Sequence, residues 1–184
     1  MTKDKEVSDL IDDLEDEDKY WLERKKAATA LGKLDERADK AVPPLIDLLK
    51  EETNEKVRKE VANTLGNLGA NAEEAVPILA KTLIEDESKT VREWAAIALG
   101  QIGPSAKDAV PALLEALNRE ESRSVQKKII FSLGKIGPGA EKAIPELEKI
   151  REESSDWGIQ TIIERSLLSI KGIADEEGEE GDDK

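Results

Sequence analysis

The sequence contains no cysteine and no histidine. Without thiols, disulfides, thiolate metal sites and cysteine nucleophiles are excluded. Without imidazole, the commonest general base and the commonest metal ligand are both missing. Aromatic residues are scarce: three Trp, one Tyr and one Phe among 184 residues. The apolar fraction of 38% is mostly Ala, Leu, Ile and Val, which suits many thin helix-on-helix contacts better than one thick core. No run approaches the ~18 consecutive apolar residues of a membrane helix, and the opening residues hold no apolar stretch of signal-peptide length, so a soluble, cytoplasmic protein is expected. There is no Gly-rich phosphate loop, no metal-ligand spacing and no nucleophile with an identifiable base. Carboxylate pairs such as Asp12 and Asp13 lie in solvated acidic runs. No enzyme activity, cofactor, metal or small-molecule substrate is therefore expected.

What is present is a repeat. Glycine recurs at Gly32, Gly66, Gly100 and Gly134, and proline at Pro43, Pro77, Pro111 and Pro145, each series advancing by 34 residues. A fixed period of this length marks an array in which each unit buries its apolar face against the next. In one unit, Ser88 stands at an N-cap position, matched by Asn54, Ser122 and Asp156; all are residues whose side chains cap helices. A helix of about 15 residues follows, here helix A, with Val91, Ala95, Ala98, Leu99 and Ile102 on its buried stripe. Gly69, Gly103 and Gly137 end it. Helix B starts near Pro111, where a missing N–H is harmless, and buries Val110, Leu113, Ala116 and Leu117. Alanines at positions 38, 72, 106 and 140 predict a short helical turn before each proline, either continuous with helix B or separate from it. Gly100 and its equivalents lie inside helix A, which implies close approach of a neighbouring backbone. Val7, Leu10, Ile11 and Leu14 form an unpaired helix B at one end, and Ile159, Ile163, Leu167 and Ile170 a terminal helix A at the other, where Leu168 replaces the glycine. The expectation is an all-α, right-handed solenoid of about ten helices with degenerate caps: an acidic segment over 1–18 containing the orphan helix, four full repeats plus a terminal helix over 19–171, and a disordered acidic tail over 172–184.

The motif VRxxAAxALGxIG followed by AVPAL, at residues 91–113, resembles the HEAT-like repeat of the phycobilisome-lyase (E-Z) type. The resemblance covers roughly residues 20–171 and departs at Asp35, where repeat one lacks its second glycine, and at Gln126, where Arg58 and Arg92 stand in other repeats. It implies that the variable face of helix A lines the concave side of the superhelix. Such repeats serve scaffolds, lyases and regulators alike. The family's iron-dependent hydroxylases use His–Glu pairs, which this chain has no histidine to make.

Columns through the array separate packing from recognition. Leu31, Leu65, Leu99 and Leu133 never change, whereas Lys26, Glu60, Trp94, Lys128 and Ile162 change in every copy. At about 100° per residue, Thr90, Glu93, Trp94, Ile97 and Gln101 fall on one arc away from the stripe. All five aromatic residues lie on or beside this arc. Its six columns hold eleven cations and three carboxylates, on a chain of net charge −14. Trp94, Ile97, Phe131 and Trp157 are the candidate anchors, with Lys59, Arg123, Lys127, Lys128 and Lys135 as steering charges for an acidic segment or helix of a protein partner. Trp21 and Trp157, in terminal repeats, serve equally well to cover an open core end, and Trp94 can instead pack against repeat four through Phe131 and Lys128. Asp47, Lys81, Glu115 and Lys149 alternate in sign along helix B, suggesting a ladder of repeat-to-repeat ion pairs.

The function expected is a monomeric, non-catalytic interaction scaffold. Nucleic-acid binding is the alternative the basic arc permits, opposed by the overall charge. An accessory role beside a bilin lyase is the one the resemblance invites. The acidic ends confer solubility and repulsion between copies, or the C-terminal one competes with an acidic partner for the basic face.

Overall fold

The computed structural model describes residues 3–16, 19–33 and 38–173, so the expected acidic tail lies, from residue 174 onward, outside the described residues. Among the described residues ten α-helices alternate between two rows. The A row is α2 (Trp21–Leu31), α4 (Glu55–Asn67), α6 (Lys89–Ile102), α8 (Arg123–Ile136) and α10 (Trp157–Ile170). The B row is α1 (Lys3–Glu15), α3 (Ala38–Glu51), α5 (Val76–Glu85), α7 (Val110–Arg119) and α9 (Ile144–Glu153). Successive A helices pack against one another throughout, α1, α3, α5 and α7 pack in series along the B row, and each B helix packs against the A helix that follows it, which makes the stack a solenoid. The invariant leucine column, Leu31 to Leu167, is buried throughout.

Gly69, Gly103 and Gly137 end α4, α6 and α8 with φ of +57°, +71° and +71°, a region that suits glycine alone. From each glycine a 3₁₀ turn, Gly69–Ala75, Gly103–Ala109 or Gly137–Ala143, runs straight into the next B helix. The short turn predicted before each proline is therefore continuous with helix B, with a kink at Ala72 and Ala140. In the first repeat Pro43 lies inside α3.

The expected caps are only half realised. Asn54 and Asp156 accept from the backbone N–H of Lys56 and Ile159. Ser88 and Ser122 make no such bond; their hydroxyls turn to Glu55 and Ser124. A carboxylate two residues earlier does part of this work, Asp86 accepting from the Ser88 N–H and Glu120 from the Ser122 N–H.

The glycines inside helix A allow the expected close approach. A Cβ on Gly66 would lie 2.8 Å from Ala98 Cα, and one on Gly134 2.9 Å from Ser166 Cα. Thr64, Ser132 and Ser166, two residues before this glycine column, donate hydroxyl bonds of 2.6–3.1 Å to the carbonyls of Ala28, Ala96 and Ile130 in the preceding A helix. These bonds give carbonyls already used within a helix a second donor and tie the row together.

The alternating charges on helix B do not form the expected ladder. Asp47 pairs with Lys50, Lys81 with Glu85, Glu115 with Arg119 and Lys149 with Glu146, each within its own helix. Among the described residues no ion pair joins these four charges from one B helix to the next. The ladder exists elsewhere. Arg24, Arg58 and Arg92 reach across to Glu52, Asp86 and Glu120, in the turns that lead into the following repeat, at 2.7–2.9 Å. Arg58 and Arg92 also donate to main-chain carbonyls of the turns entering their own helices. At the fourth junction both partners are neutral, Gln126 and Ser154: Gln126 still donates to the Glu120 carbonyl, and the Ser154 hydroxyl still accepts from the Asp156 N–H.

The hydrogen bond from Arg92, aided by the Ser122 N–H, holds the Glu120 carboxyl below its ordinary range. A carboxyl depressed in the folded state contributes stability that is fully present above its unfolded value and is lost as pH falls through the folded one. Stability is therefore expected to be flat near neutrality and to fall once the pH drops below the ordinary glutamate value of 4.5. Arg92→Ala should flatten that acid limb in urea titrations across pH, and an unchanged acid limb would remove the ladder from the account.

Candidate functional site

The variable arc of the A row is a set of separate ring and cation pairs. Lys59 on α4 lies over the Trp94 ring of α6, 5.2 Å from its centroid. Lys56 lies 4.4 Å from the Trp21 centroid on α2, and the Tyr20 ring is tilted 47° to that of Trp21 with centroids 5.4 Å apart. Lys135 covers the Phe131 ring from one helical turn away, at 5.3 Å. Each distance is within the ~6 Å at which a cation is held by a ring face. Trp94 does not pack on Phe131: its neighbour is the lysine of the preceding repeat, and among the described residues the only ring pair is Tyr20 with Trp21.

Exposure divides the rings. Trp94 and Trp21 are half-buried at the edge of the core, whereas Phe131 is 51% and Trp157 78% exposed. Trp157 thus covers no core end. Ile97 and Lys128 are half-buried and Lys135 is exposed. Lys59 stands on α4, Trp94 and Ile97 on α6, and Lys128, Phe131 and Lys135 on α8; Trp157 stands at the start of α10.

Two of the expected steering charges are already occupied. Arg123 and Lys127 converge on Asp156 at 3.0 and 3.5 Å. Asp156 is held below the usual aspartate range chiefly by the Ile159 N–H it caps, with Lys127 and Arg123 adding to the effect. Glu60 is buried within the same arc, accepting from Thr29 and Asn63 and facing Lys25. Lys128 and Arg165 make no ion pair among the described residues. Among the described residues, unpaired positive charge therefore runs along the whole arc, from Lys26 and Lys33 in the first repeat to Lys128, Lys135 and Arg165 at the far end. Asp156 was legible as a cap but not as a counter-ion, because the column geometry that brings it beside Arg123 appears only when adjacent repeats are stacked.

No group of acidic residues among those described is arranged to hold a metal ion, and no helix is long and apolar enough to cross a membrane.

The chain matches the HEAT repeat family over residues 7–100 and 76–168. No curated protein matches its sequence. Among solved structures it resembles the complex of CpcE and CpcF of phycocyanin lyase from Nostoc sp. PCC7120, at 26% identity and a TM-score of 0.55 over 91% of this chain and 65% of that one. It also resembles Kap121p bound to Nup53p, at 19% identity and a TM-score of 0.71 over 91% of this chain. The chain spans about 65% and 19% of the lengths of these two proteins.

Proposed function

This chain belongs to the HEAT repeat family, and on that premise we propose that it is a non-catalytic scaffold whose A-row face binds an acidic segment or helix of another protein. The observation that carries this reading is the exposed Phe131 ring beside Lys135, next to unpaired Lys128 and Arg165, on a protein of net charge −14. A cationic patch persisting against so negative a background favours an anionic partner, and exposed rings supply the apolar burial that lysines alone lack. Successive A helices pack along their lengths while successive B helices touch sparsely. The more closely packed row of a bent stack is its inner one, which supports a concave A-row face. Both solved structures it resembles are protein complexes, CpcE with CpcF and Kap121p with Nup53p, in keeping with this use of the fold.

Trp94, Ile97 and Phe131 are the anchors in this reading, with Lys59, Lys128 and Lys135 around them. Arg123 and Lys127 engage a partner carboxylate only by exchanging it for Asp156. Trp157 belongs to a separate part of the surface. The test is affinity capture from the source organism with intact protein and with Trp94→Ala/Phe131→Ala. The double variant should keep its helical circular dichroism and lose captured protein at least about 30-fold, the scale of two lost hot spots. Capture that survives the double substitution would place the binding face elsewhere; retention of random duplex DNA at low salt would replace the protein partner with a polyanion.

A further inference from the structure

The junctions between A helices all use the same two surfaces. Toward the following repeat, an A helix presents the first, eighth and twelfth positions after its cap; toward the preceding one it presents the cap and the second, sixth and tenth. Three contacts define this register: Glu55 with Ser88, the Ala96 carbonyl with Ser132, and Gly100 against Ser132. Each surface is left open once among the described residues. On α10 the open positions are Trp157, Glu164 and Leu168; on α2 they are Tyr20, Leu22, Lys26 and Ala30.

These two faces hold most of the apolar exposure of the described residues. Trp157 is 78%, Tyr20 63% and Leu22 39% exposed, and Ala30, whose counterparts Thr64, Ala98, Ser132 and Ser166 are all buried, is half-open. Beside α2 lies a groove of about 530 Å³ floored by Leu10, Leu22 and Ala30 and rimmed by Lys25, Lys26 and Lys33. Lys26 and Lys33 have no ion pair among the described residues.

We propose that these faces are the donor and acceptor of a head-to-tail contact between two copies of this chain, α10 of one seating in the groove beside α2 of the next. In the internal register Trp157 meets Tyr20 and Leu22. Glu164, the only charged residue at the eighth position, falls over Ala30, between Lys26 and Lys33. Leu168 stands where internal junctions carry glycine, and a Cβ there would come within 3 Å of the next helix; the groove supplies the space that internal junctions lack. The end junction is consequently wider than the internal ones. Because donor and acceptor differ, the contact is heterologous and adds copies in line instead of closing a symmetric dimer. It departs from the monomer expected from the sequence. The charge of −14 on each copy opposes it at long range, and salt screens long-range repulsion more than a desolvated contact, so the assembly is promoted by salt.

Sedimentation velocity of the full chain, at rising concentration in about 0.05 M and about 0.5 M NaCl, spans the screening lengths that decide this. The expected result is a weight-average coefficient that climbs with concentration in high salt and passes the dimer value without a plateau. Trp157→Ala removes the donor and Leu22→Glu the acceptor; each should weaken self-association at least about tenfold, and both sites are exposed enough for the fold, followed by circular dichroism, to persist. A mixture of the two variants retains one intact donor and one intact acceptor, and should form a 1:1 dimer and nothing longer. The Trp94→Ala/Phe131→Ala protein should assemble like the parent, which separates this contact from the partner-binding face. A chain that stays monomeric in high salt, a plateau at a symmetric dimer, or a mixture that fails to pair would each overturn the proposal.

Discussion

Arg58→Ala will lower the free energy of unfolding by about 3–5 kcal/mol, the loss expected when one member of a buried ion pair is removed. The Arg58 and Asp86 side chains are only 10% and 8% exposed, and the guanidinium meets the carboxylate with two bonds, of 2.8 and 3.0 Å. Its remaining Nη1 donates to the Thr53 carbonyl at 2.7 Å. Alanine leaves Asp86 charged and dry, with only the Ser88 N–H to hold it, and leaves a turn carbonyl short of a donor. The chain also contains the neutral solution to the same junction. Gln126 and Ser154 occupy the matching positions one junction apart from Arg92 and Glu120, and they satisfy the same main-chain groups without charge. The double variant Arg58→Gln/Asp86→Ser should therefore recover most of the loss. Urea midpoints for Arg58→Gln, Asp86→Ser and the double close a thermodynamic cycle. If the double variant is as unstable as the sum of its parts, the ladder is not interchangeable with a neutral pair and Gln126 has another reason to be there.

Much of the fold was legible because a repeat states each packing constraint several times. Glycine and proline at a constant spacing of 34 fixed the unit, and Gly69, Gly103 and Gly137 marked the helix ends that positive φ requires. What escaped were contacts between units. The alternating signs of Asp47, Lys81, Glu115 and Lys149 looked like a ladder, but a column read along the chain says nothing about the distance between successive helices. Each of these charges is paired within its own helix, whereas the arginine column faces the turn that leads into the next repeat. The same blindness hid the capture of Arg123 and Lys127 by Asp156 and the separation of Trp94 from Phe131. Family membership follows from the repeat; the binding face rests on exposure and charge, which single columns only hint at.

Gly134→Val should be strongly disruptive inside helix A, destabilising by about 3 kcal/mol or more once overpacking, typically about 1–3 kcal/mol, is joined by the larger branched side chain. A Cβ at this position would stand 2.9 Å from both Cα and Cβ of Ser166 and 2.7 Å from its hydroxyl. That hydroxyl donates to the Ile130 carbonyl at 3.0 Å, so it cannot swing aside without breaking a buried bond. Alanine at 134 is the sharper experiment. Exchanging glycine for alanine in a helix interior ordinarily gains about 0.5–1 kcal/mol, and at Gly134 the overlap with backbone should reverse the sign. Gly32 offers the control within the same column: its Cβ would meet the Thr64 methyl at 3.0 Å but the backbone only at 3.5 Å, so Gly32→Ala should be close to neutral. Thermal and urea unfolding of the two alanine variants then rank the junctions directly. A Gly134→Ala protein more stable than the parent would mean that adjacent A helices stand farther apart than this packing requires, and the tightly wound inner row, with the concave binding face argued from it, would go too.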